Sequence, residues 1–451
     1  MSPFTPNSLR IKRWLRRCLV LLLLVQAWPA TAYSVLTHQS VIDSTWNKYL
    51  LPQLQLRYPG GNKEDWLLAK SYAYGGAIVQ DMGYYPLGAE LFTSLTHYVR
   101  SGDFVANLLR DAHGRNEYAF ALGALAHYAS DNVGHPEATN LVLPNVYPKK
   151  KAEFGPVITY EQAPINHTEV EFSFDVVQIA AGHYRSQDYH KYVGFRASKH
   201  LLERAFRDTY GIELGQVVFN VDVSLAAFRL AVNQLLPAAA RAAWVNQRKA
   251  IRRISPRARR RDYVYHTSRR AYQKEFGTDA QWPGLGARIL AGVLSIMPKI
   301  GPLRAFAFNV PSAADEARFR RSYRDALARY VVLVREQPTD TAATKAAPPI
   351  PNTNLDTGRP TRPTEYILAD VTYQELLREL QKDKFKLLTP ALQQNILAFY
   401  AAGPAPSAPP ARHTKATEDE DKNSRKNHKN REESQAALNE LRHLSPAATK
   451  P

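Results

Sequence analysis

The spacing of apolar residues along the chain favours α-helices. In the segment 41–51, Ile42, Trp46 and Tyr49 recur at steps of three and four residues, which is the repeat of one helix face. The same repeat predicts helices over 117–130, 224–236 and 314–335. Alternating apolar and polar runs bounded by hairpin turns are nearly absent. The pattern therefore predicts an all-α domain, within an uninterrupted globular region over residues 33–336.

Beyond this region the composition changes twice. Residues 337–363 are rich in Pro, Thr, Ala and Asn, which predicts a linker. Residues 364–402 are predicted to form a small helical segment, with one helix start at the capping box of Thr372 and Glu375 and another at Thr389-Pro390. Residues 403–451 contain almost no large apolar side chains, so we expect a disordered tail.

The first 32 residues have the features of a secretion signal. Five basic residues between Arg10 and Arg17 precede the apolar run 18–25, and Ala30-Thr31-Ala32 offers small residues for a signal peptidase. We therefore expect residues 1–32 to be removed and the mature protein to be exported, to the periplasm or the exterior. The only cysteine, Cys18, would be removed with the signal. A mature chain without cysteine has neither a disulfide nor a thiolate metal ligand.

The chain is basic, with 59 Lys and Arg residues against 41 Asp and Glu residues. Removal of the five basic residues of the signal leaves a net charge of +13. Such a charge favours anionic partners such as membranes or nucleic acid, and it does not define the fold. The basic run 248–261, followed by Tyr263 and Tyr265, is a candidate for contact with an anionic membrane surface. A solvated loop without a partner is an equally open interpretation.

Candidate chemistry is concentrated in the stretch AHYASDNVGHP, residues 126–136. His127, Asp131 and His135 are four residues apart, so a helix places them on one face. For any single histidine, a hydrogen-bonded core residue is the better interpretation. Two histidines and a carboxylate on one apolar helix are harder to explain in that way, because burying them without a partner is unfavourable. A metal ion is a common compensating partner.

Four other segments offer further metal ligands. Gly75, Gly76 and Gly83 predict a turn that is closed by Pro86 and carries Asp81. The remaining candidates are His38, His97, and the pair His167 and Glu171, which are four residues apart and are predicted to share a helix face. Glu169 lies only two residues from His167 and is expected to point elsewhere. His113, His183 and His190 are interpreted as surface or packing residues.

The order and number of these residues over about 33–174 resemble the zinc-dependent phospholipase C family of bacteria. The resemblance implies an all-α fold with three zinc ions. It implies that Tyr33, as the free N-terminal residue, binds zinc through its α-amino nitrogen and carbonyl oxygen. The other ligands that the resemblance implies are His38 as the first histidine, Asp81, His97, His127 and a bridging Asp131 at the central metal pair, and His135, His167 and Glu171 at the remaining zinc.

Some features differ from the secreted phosphatidylcholine-cleaving members. The gap between Asp131 and His135 is three residues, as in catalytic domains that resemble glycosylphosphatidylinositol-specific phospholipase D. Met82 and Ser94 stand where the choline-selective enzymes carry tyrosine and phenylalanine. A choline pocket of that design is therefore not expected.

The resemblance implies a hydrolase that cleaves a phospholipid head-group phosphodiester at a membrane surface, to which it binds peripherally. Histidine and carboxylate ligands leave zinc strongly Lewis acidic, and Asp81 is the candidate residue for activating the attacking water. Two alternatives remain open. Single-strand nucleases share the superfamily, although the aromatic base-stacking pocket that they need is not evident. The other alternative is a non-catalytic secreted protein in which metal ions only staple the helices together.

Overall fold

The computed structural model describes residues 35–230 (except 86, 182 and 185–193), 232, 244, 247–253, 255–259, 308–340, 348–402 and 433–444. Its longer elements are α-helices: α1 (Val35–Thr45), α2 (Leu51–Arg57), α3 (Lys63–Val79), α4 (Glu90–Tyr98), α5 (Ser101–Arg110), α6 (Arg115–Gly134), α7 (Asn140–Val146), α8 (Pro148–Phe154), α9 (Pro164–Ala181), α10 (Lys199–Tyr210), α11 (Leu214–Val217), α12 (Val221–Leu230), α13 (Ala313–Glu336), α14 (Ile367–Lys382) and α15 (Pro390–Ala401).

Three short helical turns and one small hairpin accompany these helices, and residues 247–253 and 433–443 are also helical. The turns and the hairpin are the π-helical turns Trp46–Leu50 and His135–Thr139, the 3-10 helix Gln80–Tyr84, and the antiparallel strands β1 (Thr353–Asn354) and β2 (Arg359–Pro360). Within the described residues this hairpin is the whole β-structure. The prediction of an all-α fold is therefore confirmed. None of the described helices combines the length and apolar character needed to cross a bilayer.

Helix α6 lies in the centre of the core, packed mainly against α3 and α13. Glycines allow α3 and α6 to approach closely. A Cβ atom added at Gly76 would lie 1.9 Å from the Phe120 carbonyl oxygen, and one added at Gly123 would lie 2.1 Å from the Ala73 carbonyl oxygen. On the other side, the Tyr330 hydroxyl of α13 donates a hydrogen bond to the Leu122 carbonyl, at 2.9 Å. The backbone of α6 is thus held between two helices.

The structure corrects the predicted turn before Asp81. Gly75 and Gly76 lie inside α3, which continues to Val79, and Asp81 lies in the 3-10 helix that follows. The two glycines are there because backbone from neighbouring segments packs against them. A Cβ atom at Gly75 would lie 1.8 Å from the Arg196 carbonyl oxygen.

The predicted helix starts of the C-terminal segment were half right. Thr389 caps α15 by accepting a hydrogen bond from the Leu392 N–H, with Pro390 in the first turn. Thr372 lies inside α14, which begins at Ile367, and its hydroxyl donates to the Leu368 carbonyl. The capping box with Glu375 is therefore wrong, since a threonine inside a helix satisfies its hydroxyl by bonding back to the preceding turn.

Two stretches of the C-terminal part differ from the sequence-based expectation. Residues 348–363, within the predicted linker, are packed against the helices, with Leu355 and Asp356 almost fully buried. Residues 433–443, within the predicted disordered tail, are helical. Leu438 and Leu441, three residues apart, are buried in the core cluster that includes α14 and α15. This apolar pair is too short a pattern to stand out in a polar tail.

Candidate metal centre

Six elements bring the predicted ligands together. His38 comes from α1, Asp81 from the 3-10 helix, His97 from α4, and His127 and Asp131 from α6. His135 opens the π-helical turn that continues α6, and His167 and Glu171 lie one turn apart on α9. The structure therefore places all the predicted ligands that it describes in one buried region, where each residue is at most 2% exposed.

Asp131 lies at the centre of this region. Its Oδ1 atom is 3.4 Å from His38 Nε2 and 3.8 Å from His135 Nε2. Its Oδ2 atom is 3.1 Å from His127 Nε2 and 3.6 Å from His97 Nε2. One carboxylate thus faces four imidazole rings, with two rings on each oxygen. This is the arrangement expected of a bridging ligand.

Asp81, His97 and His127 form a second group beside it. Asp81 Oδ1 is 3.3 Å from His97 Nε2 and 3.9 Å from His127 Nε2. The two Nε2 atoms are 3.2 Å apart. Two ligand atoms on a tetrahedral zinc, each about 2.0–2.1 Å from the ion, are separated by about 3.3 Å. Two of the three separations, 3.2 and 3.3 Å, match this value, and the third, 3.9 Å, is longer.

Backbone carbonyls orient the two rings. His97 Nδ1 lies 2.8 Å from the Thr93 carbonyl oxygen, and His127 Nδ1 lies 3.0 Å from the Ala77 carbonyl oxygen. A carbonyl oxygen only accepts, so Nδ1 carries the proton in both rings. In the neutral ring Nε2 then keeps its lone pair, which points at the carboxylates. A lone pair and a carboxylate at this distance repel each other unless a proton or a metal cation lies between them.

His135, His167 and Glu171 form the third group. Glu171 Oε1 is 3.1 Å from His135 Nε2 and 2.9 Å from His167 Nε2. Glu169 points away, as predicted, and its carboxylate accepts a hydrogen bond from Asn166. The helical spacing of four residues has therefore placed His167 and Glu171 together and has excluded Glu169.

The electrostatics show how strongly these groups depend on one another. Burial lowers the pKa of His38 well below its ordinary value, and His127 lowers it further. Burial also lowers the pKa of His97, but Asp131 and Asp81 together raise it to about 10. Burial raises the pKa of Glu171 to about 8. Closely packed, mutually perturbed groups of this kind are typical of functional sites.

The residues fit a metal cluster on a further ground. Within the described part of the chain, both carboxylate oxygens of Asp131, both of Glu171 and Oδ1 of Asp81 accept no hydrogen bond, although all are buried. Burying carboxylate oxygens without a hydrogen-bond donor is costly, and bound cations would offset that cost. Two groups of three residues could each hold a metal ion, because in each group one ligand atom per residue lies within 4.8 Å of the other two. The first group is His38, His127 and Asp131, and the second is Asp81, His97 and His127.

The N-terminal ligand position, Tyr33, lies outside the described residues. The chain just after it is fixed by α9. Asp175, one turn beyond Glu171, accepts hydrogen bonds from the Leu36 N–H at 3.0 Å and from the Thr37 hydroxyl at 2.6 Å. The start of α1 is thereby held against the helix that carries Glu171.

Sequence reasoning missed one residue of this region, Asp356. One ligand atom from each of His135, His167 and Asp356 lie within 4.8 Å of one another. The only local signal was the run NLDTG, where the Asn354 side chain accepts hydrogen bonds from the N–H groups of Asp356 and Thr357. Such a run predicts a turn and nothing about metal.

The histidines that were set aside lie away from the cluster where they are described. His113 and His183 are exposed, and Gln178 Oε1 lies 2.6 Å from His183 Nδ1. His190 lies outside the described residues.

Comparisons with known proteins agree with this site. Residues 37–219 match the family model described as zinc dependent phospholipase C. A protein of Archaeoglobus fulgidus, described as uncharacterized, is 27% identical over 202 residues, which are 44% of this chain and 52% of the relative. The match thus spans about half the length of that relative. No solved structure matches the chain. The segment 37–219, which contains every predicted ligand except Tyr33, belongs to the zinc-dependent phospholipase C family.

Proposed function

We propose that the protein is an exported zinc-dependent phosphodiesterase that hydrolyses the head-group phosphodiester of phospholipids, in the manner of a phospholipase C. The observation that carries the proposal is the convergence of His and carboxylate atoms around Asp131, at spacings that suit zinc, within a segment of the matching family. Three zinc ions are expected. Tyr33, His38, Asp81, His97, His127 and Asp131 would hold two of them, and His135, His167 and Glu171 would hold the third.

When bound, the zinc ions supply Lewis-acid activation of water and of the phosphodiester oxygens. The chain itself supplies position and proton transfer. Asp81 is the proposed acceptor of the proton from the attacking water, because its Oδ1 is buried among the cluster and accepts no hydrogen bond from the described residues. Thr93 and Ala77 hold the rings of His97 and His127 in register through their carbonyl oxygens.

The proposed contact with membranes draws support from the described part of the basic run. Residues 247–253 are helical, and Ile251 is buried against a cluster that includes Phe172 and Val176 of α9. The side chains of Arg248, Lys249, Arg252 and Arg253 are exposed on this helix. Four cations on an anchored helix suit an anionic lipid surface, where each contributes about 1 kcal/mol.

A paired assay tests the function. The purified protein, processed so that it begins at Tyr33, is given phospholipid vesicles and, separately, single-stranded DNA, and the release of phosphorylated head group or of nucleotide is measured. We expect release from the vesicles that stops with a chelator and returns with zinc. Asp81→Asn should lower it by about 100-fold or more, while Asp103→Asn, a carboxylate on α5 outside the cluster, should leave it unchanged. Release from DNA alone would favour the nuclease, and release from neither would contradict an enzyme.

A further inference from the structure

The third group of candidate ligands, His135, His167 and Glu171, has a neighbour from outside residues 37–219, the segment that matches the family model (the family segment). Asp356 follows β1 in the segment 348–363, well beyond residue 219, and its side chain is only 1% exposed. The inference below rests on the proposed function, because it concerns how this chain would hold one of the zinc ions.

The backbone around Asp356 is fixed by hydrogen bonds to the family segment. The Leu355 N–H donates to the His97 carbonyl at 3.0 Å, and the Asn140 side chain donates to the Asp356 carbonyl at 2.9 Å. Gly358, at φ +67°, packs so closely that an added Cβ would lie 2.5 Å from the Asn132 carbonyl oxygen. The hairpin therefore rests on the residues between Asp131 and His135.

The two oxygens of the Asp356 carboxylate have different surroundings. Oδ2 accepts hydrogen bonds from the Tyr160 N–H and from the Tyr366 hydroxyl, both at 2.9 Å. Oδ1 accepts none from the described residues, and it lies 3.5 Å from His135 Nδ1. Two donors thus hold one oxygen and leave the other directed at the imidazole.

The opposite nitrogen of that imidazole faces the cluster. His135 Nε2 is 3.1 Å from Glu171 Oε1 and 3.8 Å from Asp131 Oδ1. The ring therefore lies between a carboxylate on its Nδ1 side and the ligand group on its Nε2 side. Metal-binding histidines commonly have this arrangement, in which the second nitrogen donates to a carboxylate or carbonyl that fixes the tautomer and the ring plane. Thr93 and Ala77 do the same for His97 and His127.

We propose that Asp356 is the positioning carboxylate of the third metal site. It holds the proton of His135 on Nδ1 and directs Nε2 to the metal, so that the site of the family segment is completed by a segment from outside it. The spacing of 3.5 Å is longer than a hydrogen bond and closes with a shift of a few tenths of an ångström.

Zinc release tests this directly. The zinc-loaded protein, processed so that it begins at Tyr33, is mixed with a chromophoric chelator, and the number of zinc ions and their release rates are measured without any substrate. Removing a carboxylate that orients a metal-binding histidine costs about 10- to 100-fold in metal affinity. In Asp356→Ala we expect one zinc per chain to leave about 100-fold faster. In Asp356→Asn we expect this zinc to leave about 10-fold faster than in the wild type, because the amide oxygen still accepts a hydrogen bond from Nδ1 but carries no charge.

Asp103→Asn is the matched control. Asp103 accepts a hydrogen bond from the Asn352 side chain, so this change loosens the same segment at a point away from the metal ligands. Its zinc release should equal that of the wild type, and the melting temperatures of the zinc-free proteins show whether each variant folds. Release from Asp356→Ala at the rate of Asp103→Asn would overturn the inference. If zinc release were accelerated equally in Asp356→Asn and Asp356→Ala, Asp356 would be a direct ligand of the metal and not a positioning residue. That result would also overturn the inference.

The failure of this inference is distinguishable from that of the proposed function. A wild-type protein that binds no zinc would overturn both. A wild-type protein that binds zinc, with an Asp356→Ala variant that releases it at the wild-type rate, would overturn the inference alone.

Discussion

At the scale of single residues, the site consists of buried polar groups whose desolvation a bound cation would offset. Asp131 is fully buried, and burial by itself would raise its pKa, yet His127, His135 and His38 hold the pKa well below its ordinary value. The carboxylate is therefore ionised in the folded protein, and its oxygens accept no hydrogen bond from the described residues. Because folding buries this anion among the histidines, the folded chain itself creates a position that would attract a metal cation.

The first prediction concerns Asp131→Asn. The near-isosteric amide removes the charge that would bridge two zinc ions, so we expect the zinc content to fall by at least one ion per chain and activity to fall by about 100-fold or more. If Asp131 were only a hydrogen-bonded core residue, the change would cost about 1–3 kcal/mol without affecting zinc. Metal analysis decides, with Asp111→Asn as the control outside the cluster. Zinc content equal to that of the wild type would refute the bridging role.

The ligands that the sequence predicted are those with local spacing. His127, Asp131 and His135 recur every four residues, and so do His167 and Glu171. A helix converts that spacing into one face, so these groups are readable without a structure. Asp356 was missed because its position depends on a hairpin folding back over a distant part of the chain, and no periodicity records such a contact.

A second prediction at this scale concerns pH. Glu161 accepts a hydrogen bond from the Leu368 N–H at the start of α14. Burial, followed by the nearby Asp356 carboxylate, raises its pKa to about 7. The folded state thus favours the protonated form. This contribution to the free energy of unfolding is fully present below about pH 4.5, and it is lost as the pH rises to about 7.

Glu161→Gln keeps the acceptor but does not titrate. Relative to the wild type, we expect its free energy of unfolding to rise by about 1–2 kcal/mol between pH 5 and pH 8, after allowing for solvent screening. Denaturant unfolding at both pH values measures the difference, and comparing the two proteins cancels the titration of the histidines. A difference that does not change with pH would contradict the raised pKa.

At the scale of elements, helix packing sets the geometry of the ligands. Close contact between α3 and α6 at Gly123 places the Ala77 carbonyl against His127 Nδ1. The predicted turn at Gly75 and Gly76 was wrong for the same reason, because sequence alone does not separate a glycine that bends the chain from one that admits a neighbouring backbone. Whether a glycine lies at the contact of two closely packed helices depends on the tertiary structure, so the local sequence does not reveal it.

Gly123→Ala tests this contact. The added Cβ would lie 2.1 Å from the Ala73 carbonyl oxygen and 2.8 Å from the Ala77 nitrogen, so the two helices must move apart. We expect a loss of about 1–3 kcal/mol in the free energy of unfolding, together with faster zinc release as Ala77 shifts from His127. Gly215→Ala on α11, where an added Cβ meets nothing within 4 Å, is the matched control. Equal behaviour of the two variants would show that the approach of the helices is not tight.

The helix over 433–443 gives a prediction of its own. Its Leu438 and Leu441 are buried, and the Gln393 side chain of α15 donates to the Leu441 carbonyl at 2.7 Å. Removing residues 403–451 exposes this contact, so we expect the melting temperature to fall by a few degrees while the zinc content stays unchanged. Leu438→Ala should reproduce much of the fall. An unchanged melting temperature in both proteins would show that the helix adds nothing to the stability.

At the scale of the whole molecule, the metal centre joins segments that are far apart in the sequence. Its candidate ligands come from α1, the 3-10 helix, α4, α6, the π-helical turn His135–Thr139 and α9, and the segment 348–363 contacts it through Asp356. Ions bound by these segments would act as cross-links of the folded state. In the unfolded chain the same ligands are scattered, so their affinity for zinc is lower, and metal binding then contributes directly to stability.

Zinc removal should therefore lower the stability of the whole domain. With a zinc ion free at 100 times its dissociation constant, one site contributes about 2.7 kcal/mol to the free energy of unfolding. Several sites should shift the melting temperature of a domain of this size by about 10 °C or more. Thermal unfolding with and without a chelator measures the shift, and zinc added back should restore it. Because Asp131→Asn has lost the shared carboxylate, its melting temperature should respond much less to the chelator than that of the wild type. If both proteins respond equally, the cations stabilise the fold at some place other than the cluster around Asp131.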